Sequence, residues 1–308
     1  EARALRVRLS ARESFYQLAR ARGNLAVAER AVAQARAQQE RVDAAVRAGI
    51  RAPADAASAA ARVASTEQTV SLAATAVDVA DASLRTMLQE ADGPVFGIAE
   101  PILGEAAEPT LPAASVLMER ARARRPEVQA LRQTLAAREK ALTAQNAGGY
   151  PHLAVYAGAD YALPNRYVIP PRNQFDPSWE VGATLAYAPN DTIVAVRRKG
   201  ESNAQIRALE ADLSELLRAL ELEVRTTRAS LSRSSRSIEA ARVATVAAEA
   251  AYAQRSAELS AGEVTLADLF SAENELNLAR LRLLDAAIEQ QLSRARLAYA
   301  VGSDPEQL

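Results

Sequence analysis

The apolar positions along this chain follow two different periods. Ile206, Leu209, Leu213, Leu216 and Leu220 step by 3, 4, 3 and 4, the spacing of a coiled-coil seam. Leu269, Leu276 and Leu283 recur every seven residues. These patterns predict a long helix over about 192–261, weakest at Gly200, and a second over about 266–301, with Gly262 as the break. The longer helix would reach roughly 100 Å. The N-terminal third is organised alike. Residues 1–48 contain no Pro and a single Gly, Gly23, among good helix formers, which predicts a helix of roughly 70 Å. Gly49 interrupts it, and Pro53 suits the first turn of a further helix ending near residue 90. Residues 91–112 hold Gly93, Pro94, Gly97, Pro101, Gly104, Pro109 and Pro112 and read as an irregular connector. A short helix is expected over 113–124. Another runs from Pro126 to Asn146-Ala147-Gly148-Gly149.

Between residues 150 and 188 the period becomes two. Trp179, Val181, Ala183, Leu185 and Tyr187 fall on one face, with Glu180, Gly182, Thr184 and Ala186 on the other. Leu153, Val155, Ala157, Ala159 and Tyr161 alternate less sharply with His152, Ala154, Tyr156, Gly158 and Asp160. The intervening loop carries Pro164, Pro170, Pro171 and Pro177. The segment is a two-strand hairpin with a long exposed loop. A lone hairpin is marginal in water, and the sequence has no other strand pattern, so pairing between copies of the chain is favoured.

Composition sharpens this picture. The chain has about 70 alanines but only 13 aromatic residues, seven of them in the hairpin region, which leaves little material for a thick core. Ala, Arg, Glu, Leu and Gln suit long helices packed closely side by side. A net charge of -1 gives no footprint for nucleic acid. With no Cys and one His, thiolate zinc sites, cysteine nucleophiles, disulfides and multi-His metal sites are excluded. No cofactor motif is present, nor a nucleophile elbow, phosphate loop or His-Glu-x-x-His, so no enzyme and no metal site is expected. No apolar run reaches the length of a membrane-spanning helix.

The two helical hairpins superimpose at an offset of 213: Gly49 falls on Gly262, Asp55 on Asp268, Ser58 on Ser271 and Ala59 on Ala272. The shared Gly-x5-Asp favours a duplication over chance matching of Ala-rich helices. A duplicated strand pair should then precede the first helical hairpin, and the offset places it upstream of Glu1. A further segment carrying that pair is therefore expected outside these 308 residues.

Four stretches carry a resemblance to a known family. They are Arg125-Pro126-Glu127-Val128 with Gly149-Tyr150-Pro151-His152-Leu153; Trp179-Glu180-Val181-Gly182 running to Pro189; Val46-Arg47-Ala48-Gly49-Ile50 with Asp55; and Leu259-Ser260-Ala261-Gly262-Glu263 with Asp268. In order and spacing they resemble the TolC-like outer-membrane efflux family over nearly the whole chain. The resemblance implies a mainly α fold, with long antiparallel coiled-coil hairpins forming a tunnel wall and a β-hairpin contributing to a transmembrane barrel in a homotrimer. The chain would divide into a first tunnel hairpin (1–90, tip near Gly49), a connector with equatorial helices (91–150), a transmembrane β-hairpin (151–188) with an extracellular loop (163–178), and a second tunnel hairpin (189–308, tip near Gly262). Trp179 and Tyr187 would be girdle residues, with Val181, Ala183 and Leu185 facing outer-membrane lipid and Glu180, Thr184 and Asp160 facing the lumen.

The implied role is the exit duct of a tripartite efflux or type I secretion system, partnered by a periplasmic adaptor and an inner-membrane pump. Both tips should lie at the entrance, opposite the strands. The tip residues Val46, Ala48, Gly49, Ile50, Leu259, Ala261, Gly262 and Glu263 would then form the adaptor-docking surface. Asp268 matches an aspartate that rings the constriction, and three copies would repel one another and raise its pKa. The local chemistry also reads Thr265-x-x-Asp268 as a capping box, and Asp55 as a first-turn carboxylate favoured by the helix dipole. Ser271 stands where the best-known pattern has a second aspartate. Leu259 and Val264 replace a Tyr and an Arg of its closed-state lock, so a closed state here would rest on other contacts. The rival reading is a periplasmic adaptor or coiled-coil scaffold without a pore, which would share the helices but not need membrane-type strands.

Overall fold

Helix α1 (Ala2–Arg47) ends at Gly49, whose φ of 71° is the left-handed conformation that glycine adopts without steric cost. Helix α2 (Pro53–Leu88) starts with Pro in its first turn, where no N–H is needed. Then come α3 (Ala114–Arg124), α4 (Pro126–Ala147), β1 (His152–Ala162), β2 (Asp176–Ala186), α5 (Pro189–Ala261) and α6 (Leu266–Val301). The structure is a computed structural model and describes residues 2–90, 93–98, 111–147 and 150–304. Pro101, Gly104 and Pro109 of the expected connector, and Gly148 and Gly149 at the end of α4, lie outside the described residues.

Two boundaries differ from the sequence expectation. Helix α5 begins at Pro189 rather than near 192, because Pro is tolerated in a first turn. Strand β2 begins at Asp176, so the segment joining the strands is 163–175 and not 163–178. Pro177 lies within the strand, opposite Tyr161. Gly200 does not interrupt α5.

One unit comprises residues 1–126 and 218–308, the other residues 127–217. In the first, small residues let the helices approach closely. Leu18 and Ala21 of α1 pack with Val77 and Leu84 of α2. Tyr16 and Ala19 meet Leu284, Ile288 and Leu292 of α6. Gly23 leaves the space that the Leu284 side chain occupies, since a Cβ there would collide with Leu284 Cδ2. Ile238 of α5 packs on Ala286 and Ala287. Each fully buried Leu or Ile in these seams contributes about 1.5–3 kcal/mol.

Polar clamps hold the chain ends of these helices. Residues 93–98 fold back so that Phe96 and Ile98 pack against the α1–α2 cluster. The Phe96 N–H donates to Asp81 Oδ1 (3.0 Å), and Arg85 Nε donates to Asp81 Oδ2 (2.6 Å). The Phe96 N–H is the main cause holding the Asp81 carboxyl below the usual range, with Arg85 adding to it. Arg125, buried in the Arg-Pro-Glu stretch, donates to the Tyr299 carbonyl (2.9 Å) and stacks over the Tyr299 ring at 4.5 Å. It thereby adds a second donor to a last-turn carbonyl of α6 that also accepts the Gly302 N–H (3.0 Å).

In the second unit β1 and β2 pair antiparallel from His152↔Ala186 to Ala162↔Asp176. Ser202 of α5 donates to Gln145 Oε1 of α4 at 2.9 Å. Ile206, Leu209, Leu213 and Leu216 on this part of α5 are half-buried, as the coiled-coil spacing requires.

Candidate functional site

The two helix breaks come together. At the first, Ile50 N–H donates to Ala45 O (2.9 Å) and Gly49 N–H to Val46 O (3.0 Å). At the second, Glu263 N–H donates to Glu258 O (3.0 Å) and Gly262 N–H to Leu259 O (3.2 Å). Both are the same Schellman cap with a left-handed glycine. The repeat at offset 213 is thus reproduced in backbone geometry. Beneath the tips Val42, Ala59, Leu259, Leu266 and Leu269 form one apolar cluster drawn from α1, α2, α5 and α6, with Val46 and Val264 packed against it. An open cleft of about 680 Å³ is lined by both tips.

Of the expected tip residues, Ala48, Gly49, Ile50, Ala261, Gly262 and Glu263 are exposed, Ile50 at 78 %. Val46 is half-buried. Leu259 takes a core position, 6 % exposed, so its side chain supports the tip instead of presenting a surface. The exposed chemistry is asymmetric: Arg47 stands at the first tip, Glu263 and Asp268 at the second.

Arg51 was not foreseen. Its Nη2 donates to the Leu259 carbonyl (3.2 Å) and its Nη1 lies 3.5 Å from Asp55 Oδ2, so one side chain ties α2 to the end of α5. The offset of 213 places Arg51 on Val264.

Asp268 lies in the first turn of α6, fully within a capping box. Its Oδ2 accepts the Thr265 N–H (2.9 Å) and the Thr265 hydroxyl (2.6 Å), and the Thr265 Oγ1 accepts the Asp268 N–H (3.3 Å). The Thr265 hydroxyl, then its N–H, hold the Asp268 carboxyl below the usual range. In the single chain this runs opposite to the rise that three clustered carboxylates would bring. Ser271 is exposed one turn further along α6. Asp55, at the equivalent place in the first tip, has Ala52 where Thr265 stands and pairs with Arg51 instead.

The β-hairpin shows a second distinct surface. Leu153, Val155, Ala157 and Ala159 lie opposite Leu185, Ala183, Val181 and Trp179, so all eight share one face. The large members of this face, from Val181 to Trp179, are 67–80 % exposed. The other face carries Asp160, Glu180, Ser178 and Thr184. There Gly182 makes room for the Tyr156 ring, whose atoms lie within 2.5 Å of where a Cβ would stand. Aromatic residues gather at both ends: Tyr150 and Tyr187 at one, Trp179 and the stacked Tyr161–Phe175 pair (5.2 Å) at the other. Asn165 orders the loop end, its Nδ2 donating to Asp176 O (2.6 Å) and its Oδ1 accepting the Tyr167 N–H (2.9 Å). Among the described residues no helix is long and apolar enough to cross a membrane, and no group of acidic or His side chains is placed to hold a metal.

No protein-family model matches the sequence, and no curated protein does. Solved structures do. The outer-membrane channel OprN aligns with a TM-score of 0.73 at 18 % identity, over 98 % of this chain and 67 % of its own. The outer membrane protein VceC of Vibrio cholerae aligns at 0.70 and 16 % identity, over 97 % and 70 %. The open state of the MtrE outer membrane channel of Neisseria gonorrhoeae aligns at 0.70 and 18 % identity, over 98 % and 67 %. The chain therefore has the fold of these outer-membrane channels, the fold that the TolC-like resemblance implied, and spans about two thirds of their length.

Proposed function

We propose that this chain is part of a trimeric outer-membrane channel, the exit duct of a tripartite efflux or type I secretion system. The observation that carries this reading is the hairpin. Its apolar face is unpartnered among the described residues, and aromatic residues flank it at both ends. An 11-residue strand is ~37 Å long and at a tilt of ~40° covers ~28 Å of height, close to the apolar band of an outer-membrane barrel. Val181, Ala183 and Leu185 then face lipid, and Glu180, Thr184 and Asp160 face water. The helical hairpins form the periplasmic tunnel wall, lined by close Ala contacts. The exposed tip residues, with Ile50 and Glu263 foremost, receive the adaptor protein, and the inner-membrane pump delivers substrate through it. Asp268 contributes a carboxylate to the constriction while capping α6. The chain acts as a conduit and performs no catalysis.

A scaffold without a pore would share the helices, but nothing in it would require an apolar hairpin face. Fractionating cells that express the native protein separates the two readings. Recovery in the outer membrane, released as a trimer only by detergent, is expected. A trimer that stays soluble after the membranes are removed would overturn the proposal.

A further inference from the structure

Glu273 of α6 is withdrawn from water at the seam with α2. Its side chain is 3 % exposed, against 17 % for its partner Arg62. One guanidinium nitrogen of Arg62 lies 3.3 Å from Glu273 Oε1, yet neither that oxygen nor Arg62 Nε makes a hydrogen bond among the described residues. Arg62 instead directs Nη2 to Asn274 Oδ1 at 2.7 Å and lies 5.8 Å over the Phe270 ring. From α5, Tyr252 senses the Glu273 charge. Arg41 of α1 and Arg280 of α6 act on that tyrosine in turn, and Arg280 pairs with Glu249 of α5. The other ion pairs joining the first helical hairpin to α6, Arg20–Asp285 and Arg296–Glu13, are far more exposed.

A carboxylate this buried needs well-aligned partners to recover the cost of leaving water. A single misaligned contact does not supply them. Burial is the main cause raising the Glu273 carboxyl above its usual value, against the pull of Arg62. We propose that the α2–α6 seam is a proton-dependent latch, in which Glu273 binds a proton more tightly while the two helical hairpins are packed and releases it to water when they part. The sign follows from linkage. The packed state holds the proton more strongly, so acid favours packing, and packing weakens as pH rises from the ordinary carboxyl value through the raised one. This adds regulation to the proposed channel, but its readout does not depend on conduction.

The chain has no Cys, so spin labels can be placed on cysteines at the exposed positions Ala64 of α2 and Glu275 of α6 in the full, reconstituted protein. Between pH 5 and pH 8 the population at longer interlabel distance should rise several-fold. Glu273→Gln and Glu273→Met, which cannot ionise, should hold the short distance at both pH values. An unchanged distance distribution in the labelled native sequence would overturn the latch. So would a pH response retained in whichever neutral variant folds.

Discussion

At Asp268 one carboxylate accepts both the N–H and the hydroxyl of Thr265, and the same group is the candidate for the constriction. Asp268→Ala removes the cap and, under the proposed function, the constriction carboxylate, so it should lower the thermal midpoint and also the cation preference of the conducting protein. The pH dependence separates them. The folded carboxyl titrates below its ordinary value, so its stabilisation is present above the unfolded value and is lost as pH falls through the lower folded one. The difference in midpoint between native protein and variant should therefore be full at neutral pH and shrink below about pH 3.9. This cap was legible because it is local: Thr265 and Asp268 stand three residues apart. Arg51 was not, because its acceptor is a backbone carbonyl 208 residues away, and a carbonyl leaves no mark in sequence. Glu273 lies between the two. It falls on the Leu269–Leu276 stripe, four residues after one and three before the other, yet a Glu at that spacing reads as surface until packing shows it enclosed.

The β-hairpin is the element whose chemistry most narrowly limits function. Its register centres on Val181 opposite Ala157, the depth at which an outward charge is least tolerated in a barrel. Val181→Arg should destabilise the folded, membrane-inserted protein by about 2–4 kcal/mol, measured by reversible folding into lipid vesicles. A cost near zero would place that face away from lipid. Alternation revealed both strands, since period two has no helical counterpart over this length. The start of β2 was hidden by Pro177, which reads as loop and yet sits opposite Tyr161 in the ladder. Proline is admitted at a strand position whose N–H is not needed for pairing. The helices were legible almost to the residue, because glycine and proline marked their ends: the left-handed Gly49 and Gly262 close α1 and α5, and Pro53 and Pro126 open α2 and α4. Leu259 reads as surface in the sequence but is buried, for the opposite reason. It lies three residues before the break, where periodicity gives a face but not what covers it.

For the whole molecule, the decisive fact is a hairpin with two free edges and an unpartnered apolar face among the described residues. Free edges pair with other strands or aggregate, and a ring of identical copies closes them without leaving an end. The same closure would set three Asp268 carboxylates around one axis and bring the asymmetric tips, Arg47 in one and Glu263 in the other, next to each other around the entrance. None of this is written in local sequence signals; it follows from what a single chain leaves unsatisfied. The most direct test is to place the detergent-extracted native protein in a planar lipid bilayer and record current. Discrete, stable conductance steps that favour cations are predicted. A verified, correctly folded trimer that inserts and passes no current would contradict the account.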